Sequence, residues 1–228
     1  MLVTTHSTTA RPLILVTSFQ PFGGSPVNPT IAIANVLAAI TPLIGSHRFL
    51  ALPVIGGIEP HSAWHAAARM IDTLQPDAVV ALGESAKADR IHIETRAVNV
   101  RDSRIADNAG LQLRNEVVIA GAPHTHSTTL PTQGMARACE SVGVAVTLSS
   151  DAGTFLCNEL FFRLLERASG ASTSAAHHNN FIAGFIHVPQ LPEQANQRGG
   201  PHMDTHVAAR AVHAMLHAVS SNLLPKLA

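Results

Sequence analysis

Two hydrophobic rhythms alternate along the chain. The first is a set of short unbroken apolar runs at residues 13–17, 49–54, 78–82, 142–148 and 181–188. Runs of this length with no period of their own fit strands buried on both faces of a parallel sheet. The second is a three-to-four-residue spacing. It links Ile31, Ala34, Leu37 and Ala38; then Trp64, Ala67, Ala68 and Ile71; then Cys157, Leu160, Phe161, Leu164, Leu165 and Ala168. Each set predicts a helix with one apolar face. Asn28 and Pro29 supply a cap and a first-turn proline for the first helix, and Pro76 stops the second, over 61–74. Further helices are predicted at 133–142 and 203–216. Three strand–helix alternations within the first 83 residues predict an α/β chain whose parallel sheet is covered on both faces.

Between residues 91 and 100 the rhythm changes to strict alternation, which predicts a strand or hairpin arm with one exposed face. A long connection follows over 108–132, with a second hairpin expected near 117–122. Residues 168–180 are rich in Ser, Ala and His and read as a mobile loop, and 189–201 as another loop. Residues 1–12 read as a disordered tail, leaving one domain over 13–228. The expected architecture is a single α/β/α sandwich with a mostly parallel central sheet and a protruding hairpin region.

Charge narrows the function classes. Among 228 residues, Lys plus Arg and Asp plus Glu number 15 each. No basic excess points to nucleic acid, and no acidic excess points to disorder. No apolar run approaches a membrane span, and the polar, threonine-rich start is unlike a signal peptide, so a cytoplasmic protein is expected. Cys139 and Cys157 fall in different predicted elements and read as free thiols.

Ligands of α/β sheets bind outside the carboxyl ends of the strands. There the chain places the 18–28 loop, the Gly83-Glu84 turn, the strand-to-helix corner holding Cys157, and His187. With Thr154 as N-cap, Cys157 would be the third helical residue, where unpaired N–H groups and the helix dipole favour a thiolate. Its place on the apolar stripe fits a buried core cysteine equally well. A cysteine nucleophile needs a histidine base, and His187 at a strand exit is the candidate. Glu84, Glu94, Asp102, Asp107, Asp151 and Glu193 could each orient that base, and Arg101 or Arg104 could steady an anion. The pairs His61 and His65, His202 and His206, and His124 and His126 have metal-ligand spacing, but no H-E-x-x-H motif occurs among the 14 histidines. Phe22-Gly23-Gly24 lacks the remaining residues of a phosphate-binding loop.

Five segments also carry a family resemblance: Thr17-Ser-Phe-Gln-Pro-Phe-Gly-Gly-Ser-Pro-Val-Asn-Pro29, Glu94-Thr-Arg-Ala-Val-Asn99, Arg104-Ile-Ala-Asp-Asn108, Ala152-Gly-Thr-Phe-Leu-Cys-Asn158 and Gly184-Phe-Ile-His-Val-Pro-Gln-Leu-Pro-Glu-Gln194. In this order they resemble the blocks of pyroglutamyl peptidase type I, or pyrrolidone-carboxylate peptidase, from about Leu13 to Leu216. The resemblance implies a cytoplasmic cysteine exopeptidase that acts on peptides with an N-terminal pyroglutamyl residue. It further implies no metal or cofactor, and a homo-oligomer, tetramer or dimer. By motif it places the nucleophile at Cys157, the base at His187, the catalytic glutamate at Glu94 and an oxyanion-supporting arginine at Arg104. It lines the ring pocket with Phe19, Phe22, Asn28, Glu84, Phe155 and Leu156. Four residues depart from the usual pattern: Ser18 for glycine, Glu84 for glutamine, Thr95 for a basic residue and Ala106 for proline. The rival readings are a homologue that binds pyroglutamyl groups without turnover and a metal-dependent hydrolase.

Overall fold

In the computed structural model, which describes residues 11–170 and 181–225, the sheet grows outward from β1 (Leu13–Phe19). On one side lies β2 (Ser46–Leu52) and on the other β3 (Ala78–Glu84), both parallel to it. β3 pairs in parallel with β8 (Ile182–Val188) along its whole length, from Ala78 opposite Ile182 to Glu84 opposite Val188. Beyond β8 the direction reverses. β4 (Ile91–Glu94) is antiparallel to β8, and β7 (Val146–Ser149) follows β4 in parallel at the sheet edge. β5 (Arg96–Val98) and β6 (Thr125–Ser127) form a separate antiparallel ribbon, the expected hairpin-like region.

Alternation along the strands divides the core in two. Ile14, Val16, Val80, Leu82, Ile91, Ile93 and Ile186 face α1 (Pro29–Ala38), α3 (Thr132–Ser141) and α6 (Thr205–Leu223). Leu15, Val79, Ala81, Ala183 and Phe185 face α2 (Ala63–Leu74) and α4 (Leu156–Ala168). The two helical layers complete the α/β/α sandwich. Asn28 caps α1 as expected, its Oδ1 accepting from the Thr30 N–H at 3.0 Å, and Ser62 caps α2.

Several expectations need correction. The run 142–148 is not a buried strand: only Val146–Ser149 pairs, on an edge, and Leu148 is exposed. Residues 117–122 form turns, not a hairpin, because the partner of β5 comes later, at β6, while Glu116 makes an isolated bridge with Arg101. The loop 189–201 contains α5 (Pro192–Arg198), begun by Pro192 and by the Gln194 side chain accepting from the Leu191 N–H at 2.9 Å. The tail up to residue 10 and most of the 168–180 loop lie outside the described residues.

Candidate active site

The reversal at β4 decides the geometry of the site. Glu94 and His92 point to the α4 side of the sheet, as do Phe185 and His187 on β8, with His92 directly opposite His187 in the register. From that arrangement Glu94 reaches diagonally, and its Oε1 accepts a hydrogen bond from His187 Nδ1 at 2.8 Å. Glu94 is fully buried and His187 nearly so. Cys157 comes from the other layer. It is the second residue of α4, and its Sγ sits over Gly83, whose missing side chain leaves the space: a Cβ there would lie 2.9 Å from the sulfur.

These three groups act on one another electrostatically. Burial alone would lower the His187 pKa, but hydrogen bonding to Cys157 and Glu94, together with their charges, outweighs it and raises the value from 6.5 to about 10. Neighbouring His92 is shifted the other way, chiefly by burial. The second cysteine has no such company. Cys139 is fully buried in the opposite core, and burial pushes its thiol up to about 11.

The start of α4 differs from the expectation at 154. The Thr154 hydroxyl does not cap the helix but donates to the Asp102 carbonyl at 2.8 Å, while the Asp102 N–H returns to the Thr154 carbonyl. Phe155 occupies the cap position without a side-chain bond, so Cys157 is the second helical residue rather than the third. As first-turn groups, the N–H donors of Leu156 and Cys157 have no acceptor within the helix.

In front of the thiol is a small, partly open pocket. Phe19, Phe22, Asn28, Glu84, Phe155 and Leu156 line it, as expected, together with Val54, which follows β2 and was not singled out. The Phe22 and Phe155 rings lie 6.3 Å apart. Asn28 holds the loop around it: its side chain takes both Thr30 donors and gives a hydrogen bond to the Gln20 carbonyl, while Thr30 Oγ1 accepts from the Phe19 N–H.

Arg104 is exposed on the loop whose Ile105 approaches Gly23, and it does not line the pocket. The remaining carboxylates are placed elsewhere. Asp107 is buried as a loop organiser that accepts from Gly56, Ala109 and Leu111 N–H groups. Asp102 pairs with Arg114, Asp151 accepts from the Gly153 N–H, and Glu193 is exposed. Of the histidine pairs, His126 binds Glu166 at 2.6 Å; among the described residues no group of three or more His, Cys, Asp or Glu side chains is arranged to hold a metal ion.

A family model described as pyroglutamyl peptidase matches residues 13–222. The chain belongs to the pyroglutamyl peptidase family. It is 35% identical over 191 residues to a pyrrolidone-carboxylate peptidase of Cupriavidus taiwanensis, covering 83% of each chain. To the Pseudomonas fluorescens pyrrolidone-carboxylate peptidase it is 36% identical over 209 residues, covering 90% of this chain and 92% of that one. The crystal structure of pyroglutamyl peptidase I from Bacillus amyloliquefaciens superposes with a TM-score of 0.83 at 28% identity, covering 92% and 95%. A mutant pyrrolidone carboxyl peptidase from Pyrococcus furiosus gives 0.82 at 30% identity, covering 93% and 100%.

Each departure from the family pattern has a place in the fold. Ser18 is buried within β1, and Ala106 is exposed. The Thr95 hydroxyl donates to the Ser149 carbonyl at 2.8 Å, tying β4 to the end of β7, and Arg96 bonds the Ser150 carbonyl. Glu84 is not a free charge at the pocket mouth. Its side chain is only 2% exposed and forms an ion pair with Arg198, and Gln194 Nε2 donates to its second oxygen at 3.1 Å. Gln194 and Arg198 were missed as site residues. The signal available was the Pro192 helix start hidden in a stretch read as loop.

Proposed function

We propose that Cys157, His187 and Glu94 hydrolyse the bond that follows an N-terminal pyroglutamyl residue. The chain is a cysteine exopeptidase of that specificity by family. The residue roles rest on one observation: a buried Glu94–His187 pair faces a thiol that opens on an aromatic pocket.

With its pKa raised to about 10, His187 is protonated at neutral pH, and it holds that proton beside Cys157 Sγ as the sulfur bonds to the carbonyl carbon of the pyroglutamyl residue. Glu94 fixes the imidazole with Nδ1 protonated and balances the imidazolium. The raised His187 pKa means that this cation is already in place before the attack begins. The oxyanion falls to the first-turn N–H groups of α4, a class of contact worth about 3 kcal/mol per donor. Arg104, exposed and outside the pocket lining, is a weaker candidate for this support than those backbone groups. When the carbon–nitrogen bond breaks, His187 returns its proton to the leaving amine, and a pyroglutamyl thioester remains. Water then attacks the thioester, gives a proton to His187, and releases pyroglutamate as the thiol re-forms.

The pocket suits the substrate chemically. Pyroglutamate is a neutral, flat lactam that an aromatic wall can receive, whereas a free ammonium would lose its hydration there. Wild-type protein should release the leaving group from a pyroglutamyl anilide and barely act on the prolyl analogue. Cys157→Ala should abolish turnover, and near-wild-type cleavage by that variant would sink the assignment. A homo-oligomer, dimer or tetramer, and a cytoplasmic location belong to the same proposal. Exposed Leu43, Ile58 and Val117 support the first, and two free thiols support the second.

A further inference from the structure

The Glu84–Arg198 ion pair is a second charge system beside the thiol, and the reaction above makes no use of it. Glu84 lines the ring pocket from the end of β3, and its carboxylate is shut away from solvent. A carboxylate in such a place attracts a protonated amine, which the aromatic wall would otherwise leave unpaired. Here the attraction has a built-in partner. Arg198, in the last turn of α5, pairs with Glu84 Oε1, and its Nε donates to Gln190 Oε1. Gln190 is itself fully buried and clamped by its Nε2 to the Gly199 and Pro201 carbonyls. The second Glu84 oxygen is taken by Gln194, which also donates to Ser25 Oγ at 3.0 Å and so joins α5 to the loop that carries Phe22.

We infer that Arg198 is a specificity-determining residue: by neutralising Glu84 it keeps the ring pocket open to a neutral lactam and closed to a five-membered ring bearing a protonated amine. The inference rests on the reading of this pocket as the pyroglutamyl site, and it deepens that reading by naming what excludes N-terminal proline. Both rings fill similar space. They differ in charge and in one ring carbonyl, so a pocket whose net charge changes from zero to minus one should change its preference between them.

The test is calorimetric binding of pyroglutamide and prolinamide at neutral pH to wild-type protein and four variants. Binding keeps it separate from turnover: a wild-type protein that binds the lactam but cleaves nothing would refute the catalytic roles and leave this inference standing. Arg198→Met and Arg198→Gln should each shift the prolinamide-to-pyroglutamide affinity ratio toward prolinamide by at least about tenfold. Arg198→Lys should keep the wild-type ratio. Glu84→Gln combined with Arg198→Met should lose the gain, because the negative charge is gone. A merely structural role for Arg198 would weaken both ligands together and could not be reversed by removing Glu84. An unchanged ratio in both neutral variants, or a gain that survives in the double variant, would overturn the inference.

Discussion

Gly83→Ala tests the claim that the nucleophile is positioned by an absent side chain. The new methyl carbon would stand 2.6 and 2.7 Å from Phe185 Cε1 and Cζ and 2.9 Å from Cys157 Sγ. Relaxed carbon contacts lie near 3.5–4.0 Å, so something must move by about 1 Å. The Phe185 ring has little room to retreat. It is fully buried, with the Phe161 ring 5.9 Å away and the His187 ring 4.8 Å away. The half-buried thiol in the first turn of α4 yields more readily. Overpacking should lower stability by about 1–3 kcal/mol. Displacing the sulfur by about 1 Å should lower kcat about 100-fold. KM should change by less than about threefold, because the aromatic wall is untouched. Steady-state kinetics on a pyroglutamyl anilide and urea unfolding read both effects. Gly134→Ala is the control: its nearest neighbour would be Pro131 Cβ at 4.0 Å, so the helix should gain about 0.5–1 kcal/mol with unchanged kinetics. A Gly83→Ala protein with wild-type kcat and wild-type stability would refute the positioning argument.

Glu94→Gln keeps the shape of the dyad and leaves the Cys157 contribution, but removes one of the charges that raise the His187 pKa, so kcat/KM should fall on the order of 10²–10⁴-fold. The alkaline limb of its pH profile should also move to lower pH, since the imidazolium is lost sooner. Asn158→Ala should cost about 2–4 kcal/mol in urea unfolding, because the Asn158 side chain alone joins α4 to the Val98 N–H, the Val98 carbonyl and the Val100 carbonyl. His47 has its pKa lowered to about 4 by burial and by His213, so between pH 6.5 and 4 only the unfolded chain takes up that proton. Stability should therefore hold above pH 6.5 and fall toward pH 4 by about 1–2 kcal/mol after allowing for solvent screening, and His47→Gln should flatten that fall in pH-dependent unfolding.

What could be read from the chain followed from local rules. Ala78–Leu82 is apolar on both faces, so it had to be an inner strand, and Asn28-Pro29 starts a helix on its own chemistry. The parts that resisted depend on partners far away in sequence. Leu148 is apolar yet exposed, because β7 ended at an edge with only β4 beside it. Nothing within residues 91–100 announces that β4 runs against β8, and that reversal is what delivers Glu94 to His187. The strand-end rule placed the pocket correctly at Phe19 and Glu84, but not the route to Cys157. The thiol arrives from the helical layer above Gly83, not from the carboxyl end of a strand that belongs to the same edge. Arg198 lay in a stretch read as loop, and its counter-charge is 114 positions earlier.

The two glutamates at this site show how environment, not residue type, assigns a role. Glu94 lies inside the sheet with one oxygen on His187 and the other, equally buried, without a hydrogen-bond partner among the described residues. Its charge is answered by a proton that His187 can hold or release, so any change at the imidazole is felt in full by the carboxylate. Glu84 has both oxygens occupied, and one partner is a guanidinium that stays charged at every working pH. A pair of that kind cannot take part in proton transfer; it can only set the field a ligand meets. Arg198 is 40% exposed, so mobile ions reach its pair, whereas the buried Glu94–His187 pair is sheltered from them. Raising salt should therefore erode discrimination between lactam and amine before it alters the pH profile of the chemical step. Measured together over a salt series, the affinity ratio and the profile separate the charge that selects from the charge that reacts. If both moved in parallel, the two carboxylates would be one coupled system, and the division of labour argued from their partners would fail.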